Sequence, residues 1–397
     1  METESEVASP SWFGSWLRWC PTSLSLLREA EKMLLSNLKS LYRGRYVNVG
    51  CTVGTEDSHI WTLSFNEESP KIPLVLLHGF GSGVGLWCLN YDALAAKRPI
   101  YAIDIVGFGR SSRPQFTRDP VEAEREFITT IEAWREKMNL EKFILLGHSF
   151  GGFLAASYAI KHPERVAHLI LADPWGLPER PLWVRALGVL RQPFNPLAIV
   201  RTAGPWGPKL VQKARPDLIR KFSGVVRDSE EAIPNYLYHC NAQTPSGESA
   251  FHALMAGFGW AKHPMIHRMD SLRKEVPISL LYGSRSWVDR DPGFQIKCTR
   301  QDSYVDVVVI KGAGHHVYAD RAEVFNELVN YIGDNVDNGT LPKKMSMNPD
   351  LVEGEEARNA GVTLTNMLNV RNDNMQDVTQ ATVEDTDNPE GSEEDVT

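Results

Sequence analysis

No run of about 18 consecutive apolar residues occurs in the chain, so no segment is expected to span a bilayer as a helix. Paired cysteines are lacking too. The five present, Cys20, Cys51, Cys88, Cys240 and Cys298, are scattered, odd in number and without a C-x-x-C. That argues against a disulfide framework or a zinc site and for a reducing compartment. There is no basic block, which argues against nucleic acid as a partner. No hydrophobic h-region follows the acidic start Met1-Glu2-Thr3-Glu4-Ser5-Glu6, which does not read as a signal peptide. The glycine-rich loop at 78–83 lacks the lysine and hydroxyl of a phosphate-binding P-loop.

What remains is a chain of 397 residues, 42% hydrophobic and 23% charged, enough apolar content for one large core. The net charge of −8 is unevenly placed. Residues 348–397 hold 13 acidic and two basic side chains, net −11, which leaves the rest at +3. From about residue 338 the chain is rich in Asn, Asp, Glu and Thr and poor in aromatics. Such a composition cannot bury enough surface to fold, so 338–397 is expected to be a disordered acidic tail.

At the other end, Trp12, Trp16 and Trp19 fall at i, i+4 and i+7, one face of a helix, with Phe13 beside them. The stripe is either core or an interfacial membrane anchor; three tryptophans ahead of the fold favour the anchor. An amphipathic helix is expected over 23–41. The N-terminal segment and helix together occupy 1–44.

The core is expected in two parts, 45–176 and 276–337. Edge strands at 45–53 and 59–65 lead to the buried run Pro73–Leu77, then a strand at 98–104 and a helix at 121–138. The run Phe143–Leu146 enters Gly147-His148-Ser149-Phe150-Gly151, and a helical run, 153–161, leaves it. This is G-x-S-x-G between strand and helix, the nucleophile elbow, which lifts a serine hydroxyl clear of a sheet. The Phe150 N–H at the helix start and the Phe80 N–H in His78-Gly79-Phe80-Gly81 are the expected oxyanion donors. Asp104 reads as a turn stabiliser.

After the strand 166–172 the alternation stops for about 100 residues. The stretch 177–275 is rich in Pro, Trp, Phe and basic residues and reads as a cap inserted after the sixth strand. Strands resume at 277–283 and 304–310, and a helix at 320–336 closes the domain. The fold class expected is α/β, an α/β-hydrolase fold with a mostly parallel central sheet and a helical cap. Serine, then acid, then histidine is the order of that fold. His315, after Gly314, is the expected base, with His316 as the competitor. The expected acid is Asp289, with Asp173 at the end of the preceding strand as the rival; the usual acid position nearer Gly283 holds Ser286. His315-x4-Asp320 matches a glycerolipid acyltransferase motif. Asp320 with Glu323 equally fits an N-cap and capping box of the last helix.

These segments also carry a family resemblance. Trp16-Leu17 with Trp19–Ser23, Pro73–Gly81, Gly107–Pro114, Asp173–Gly176, Pro193–Leu197, Tyr238–Asn241, Gln243–Glu248, Gly314-His315 and Val317–Asp320 resemble the α/β-hydrolase domain-containing proteins four and five. Lysophosphatidic acid acyltransferases of plants and yeast belong to the same branch. The resemblance covers about 11–337. Member five, a lipase co-activator, has Asn at the nucleophile; Ser149 here favours a hydrolase like member four, acting on N-acyl phospholipids and lysophospholipids. What the resemblance implies is a serine acyl hydrolase or acyltransferase of glycerophospholipids, without cofactor or metal. It would work in the cytoplasm on a lipid droplet or endoplasmic reticulum surface, with a mitochondrial site as another option. The alternative is a lipid-droplet co-activator of a triacylglycerol lipase, with that lipase or a droplet coat protein as partner.

Overall fold

Consecutive apolar residues make strands buried on both faces, the mark of parallel strands covered by helices. In the computed structural model, which describes residues 19–181, 196–257, 259–342 and 351–352, β3 (Leu74–Leu77) and β5 (Phe143–His148) are buried at every residue. The period of two sends Val75, Leu77, Phe143 and Leu145 to one face of the sheet, and Leu74, Leu76, Ile144 and Leu146 to the other.

The remaining described strands are β1 (Tyr42–Asn48), β2 (His59–Phe65), β4 (Ile100–Ile103), β6 (Val166–Ala172), β7 (Ile278–Gly283) and β8 (Val305–Ile310). Their order is β1-β2-β4-β3-β5-β6-β7-β8. Only the β1–β2 and β2–β4 pairings are antiparallel; the rest are parallel. The chain therefore has the expected mostly parallel sheet, with β5 near its middle and its carboxyl end free for a site.

Helices cover both faces. α1 (Leu24–Leu35) is started by Ser23, whose Oγ accepts the Leu26 N–H at 3.2 Å, and it ends earlier than expected. It packs on the same side as α2 (Tyr91–Ala95) and the final helix. On the other side lie α3 (Pro120–Lys137), capped by Asp119, and α4 (Phe150–Lys161).

Between β6 and β7 the described α-helices are α5 (Pro196–Thr202), α6 (Gly207–Ala214), α7 (Pro216–Phe222), α8 (Ser229–Asn241) and α9 (Ser246–Leu254). α8 sits on the glycine-rich loop after β3. The Tyr236 hydroxyl accepts the Gly85 N–H at 2.9 Å, and a Cβ on Gly83 would lie 2.4 Å from that oxygen. Glycine there lets the two segments touch.

The chain ends its core with α10 (Asp291–Thr299), α11 (Val317–Asp320) and α12 (Ala322–Asp337). α12 begins after Arg321, which makes no side-chain cap, so the expected capping box of Asp320 and Glu323 does not form. The tail also meets the core past its expected boundary: Val352 is buried, bridges Ile310 at the edge of the sheet, and Leu351 O accepts the Lys311 N–H. Residues 353–397 lie outside the described residues. No described helix is long and apolar enough to cross a membrane.

Candidate active site

Small residues dictate the turn between β5 and α4. A Cβ on Gly147 would lie 2.1 Å from Gly151 O, and one on Gly151 would lie 2.4 Å from Leu77 O. With glycine at both places the chain reverses sharply at Ser149, whose φ of 54° is a conformation non-glycine residues rarely hold. The strain aims Oγ away from the sheet, at the carboxyl end of β5.

The loop after β3 closes on this turn. A Cβ on Gly79 would lie 3.2 Å from the Ser149 Cβ and 2.9 Å from His148 Nδ1. The next residue is Phe80. Neither its N–H nor that of Phe150, the first residue of α4, has an acceptor among the described residues. Buried Asp104 organises the loops behind: its carboxylate accepts the Val84 N–H at 2.8 Å and the Arg110 N–H at 2.7 Å. That is the turn-stabilising arrangement expected of it.

His315 reaches the serine. Its Nε2 lies 3.0 Å from Ser149 Oγ, and its Nδ1 lies 2.6 Å from Asp173 Oδ2. Those partners fix the tautomer: Nδ1–H donates to the carboxylate, and Nε2 accepts from the serine hydroxyl. His316 makes no hydrogen bond to Ser149 among the described residues; its ring packs against that of His148, with centroids 5.3 Å apart.

The acid expected at Asp289 is a correction. Asp289 is exposed, and its Oδ1 accepts the Asp291 N–H at the start of α10. Asp173 takes the place beside the imidazole because β6 pairs directly with β5, with His148 opposite Ala172. The next residue of each strand, Ser149 and Asp173, therefore emerge side by side. Asp173 also accepts the Gly283 N–H at 3.1 Å and the Ser286 hydroxyl. So the loop after β7, where the acid was expected, supplies a hydroxyl that holds the Asp173 carboxylate.

Asp320 does not pair with the His315 ring, whose Nδ1 is taken by Asp173. Its Oδ2 accepts the Gly314 N–H at 2.8 Å and its Oδ1 meets Lys221 Nζ at 3.1 Å. Trp12 and Trp16 lie outside the described residues. Trp19 is 57% exposed, packs edge-on against the exposed Trp206, and donates Nε1–H to Thr202 O.

Burial dominates the electrostatics. It lowers the His315 pKa, aided by Arg215 and Lys221 and opposed by Asp320, so the resting imidazole is neutral and able to accept a proton. Burial raises Asp173, against the hydrogen bonds from Ser286 and Gly283. One residue that pattern reading passed over is His148, the variable residue of the elbow. Burial holds it neutral, down to about 3, and its Nε2–H donates to His315 O at 2.9 Å. Its only signal in the sequence was its place in G-x-S-x-G. Phe80 and Phe251 stack at 4.3 Å beside the turn, and Trp175 and Phe150 pack on the same Phe251 ring. One side of the turn is therefore lined by aromatic rings.

Residues 72–322 match the model of the α/β hydrolase fold family. The chain is 50% identical over 349 residues to human (lyso)-N-acylphosphatidylethanolamine lipase, an alignment covering 85% of this chain and all of that one. It is 49% identical over 327 residues to the human 1-acylglycerol-3-phosphate O-acyltransferase ABHD5, covering 80% of this chain and 92% of that one. Among solved structures, the naproxen esterase from Bacillus subtilis has the same fold, with a TM-score of 0.53 at 19% identity, over 77% of this chain and 96% of that one. The chain belongs to the α/β-hydrolase family, in the branch that holds these two lipid-acting relatives.

Proposed function

We propose that the protein is a serine acyl hydrolase of glycerophospholipids, with N-acyl phospholipids or their lyso forms as the acyl donors. The observation that carries this reading is the hydrogen-bonded line Ser149–His315–Asp173. The names of the two relatives at about half identity give it its substrate class.

His315 Nε2 takes the Ser149 proton as Oγ attacks the ester carbonyl carbon. Asp173 holds the imidazolium that forms, and the Phe80 and Phe150 N–H groups face the oxyanion. Collapse passes the proton from Nε2 to the departing glycerol oxygen and leaves an acyl-serine. Water, deprotonated by the same Nε2, attacks that ester, and the fatty acid leaves as Ser149 regains its proton. A lysolipid hydroxyl in place of water would give transacylation, the reaction named for the second relative. The surface-exposed Trp19–Trp206 pair supports peripheral work at a lipid droplet or endoplasmic reticulum surface.

A fluorophosphonate probe tests the reading. It should label the wild type at Ser149 and leave Ser149→Ala unlabelled, and phospholipid turnover should follow the label. A folded wild type that takes no label and cleaves no phospholipid would overturn the proposal and favour a co-activator without chemistry of its own.

A further inference from the structure

The motif His315-x4-Asp320 is matched in the sequence but is not a catalytic pair in the fold. Asp173 occupies the imidazole Nδ1, and the Asp320 carboxylate turns elsewhere. One turn of α11 folds Asp320 back over the base loop, with its own N–H donating to His316 O at 2.9 Å. Its Oδ2 then accepts the N–H of Gly314, the residue just before His315, at 2.8 Å. Its Oδ1 faces Lys221 on α7, at 3.1 Å, in a helix contributed by the segment between β6 and β7. Both side chains are mostly buried, at 14% and 15% exposure. Solvent therefore screens the pair less than a surface ion pair.

We propose that Asp320 is a positioning residue that couples α7, through Lys221, to the placement of the His315 loop, and that it does not activate an acyl acceptor. The carboxylate joins the two: one oxygen accepts from the loop's Gly314 N–H and the other faces Lys221 on the helix. When α7 moves away, Lys221 leaves, and the carboxylate loses the cation that aligned it on Gly314. The His315 ring must stay within hydrogen-bond reach of Ser149, so a displacement of about 1 Å in that loop is enough to slow the reaction about a hundredfold. The position of α7 thereby sets whether the base is in place. This inference rests on the acyl-hydrolase reading for its kinetic consequence but not for its structural one.

The experiment uses the full chain with Lys221→Met, Asp320→Asn and the double variant. Asparagine keeps an acceptor for Gly314 and is close to isosteric, so the fold should persist. Amide hydrogen exchange at 311–316 should speed up in Lys221→Met, although the change is on another element. Unchanged exchange there overturns the coupling, whether or not the protein turns over any lipid.

If the wild type cleaves phospholipid, each single variant should lower kcat/KM about tenfold and the double variant no further, as expected of one shared interaction. Additive losses would overturn the proposal. With a lysolipid acceptor present, the ratio of transacylation to hydrolysis should stay constant in Asp320→Asn. A selective loss of transfer would instead assign Asp320 to acceptor activation. The pH profile gives a readout that mere destabilisation would not move. His315 is faced by Ser149, Asp173, His148, His316 and Trp287, and is under the influence of Arg215, Lys221 and Asp320. Removing Lys221 should move the acidic limb to higher pH, and removing the Asp320 charge should move it lower. Shifts of the same sign would contradict the arrangement.

Discussion

His315 Nδ1 lies 2.6 Å from Asp173 Oδ2, although the two stand 142 positions apart in the chain. The contact is close because Asp173 directly follows the strand that pairs with the one leading into Ser149. His315 then arrives from the loop after β8, and the Gly283 N–H and Ser286 hydroxyl hold the other side of the carboxylate.

Ser149→Ala should lower turnover of a short-chain ester by about a thousandfold or more, since only the oxyanion donors and binding remain. Its melting temperature should not fall, because alanine relieves no contact that the core depends on. Turnover by the folded variant within tenfold of wild type would remove Ser149 from the mechanism.

Asp173→Asn should cost about a thousandfold or more in kcat, because an amide cannot stabilise the imidazolium and invites the wrong tautomer. Asp289→Asn should stay within about threefold, since an exposed turn residue costs little when replaced. Steady-state kinetics on the pair decides between them; a dead Asp289 variant with a live Asp173 variant would refute the assignment.

The pH dependence has a definite sign. His315 must be neutral to accept the serine proton, and burial with Arg215 and Lys221 lowers its pKa. The acidic limb of kcat/KM should therefore lie below the ordinary histidine value of about 6.5. Stability moves with it. His148 and His168 are buried and held neutral, each down to about 3. Below about 6.5 the unfolded chain binds protons that these two folded imidazoles refuse, so stability should fall as pH drops from there toward 3. Melting temperatures across that range, compared with those of His168→Asn, would show the contribution as a flatter curve in the variant.

Trp19→Ala with Trp206→Ala should weaken flotation on anionic vesicles while leaving turnover of a soluble ester within about twofold, since exposed aromatic rings add interfacial affinity without touching the triad. A large fall in melting temperature with normal flotation would show instead that the pair is packing, not an anchor.

Much of this was written locally in the chain. The buried runs Leu74–Leu77 and Phe143–His148, the small residues around Ser149, and the glycine before His315 each act over a few residues, through sterics and periodicity. They are enough to specify a parallel sheet, the sharp turn at Ser149 and the loop that carries His315. Spacing along the chain could not choose between Asp173 and Asp289, because both end up near strand ends and either fits the order of the fold. Strand neighbourhood made the choice: β6 lies against β5 in register, which puts Asp173 level with Ser149, while the loop after β7 swings Asp289 out to solvent. The same holds for Asp320. Its spacing from His315 allowed a catalytic pair or a helix cap, and the packing of α7 against the base loop gave it Lys221 and Gly314 instead. Local pattern decides what a segment becomes; which side chains meet depends on contacts between segments distant in sequence, and only the folded chain brings those together.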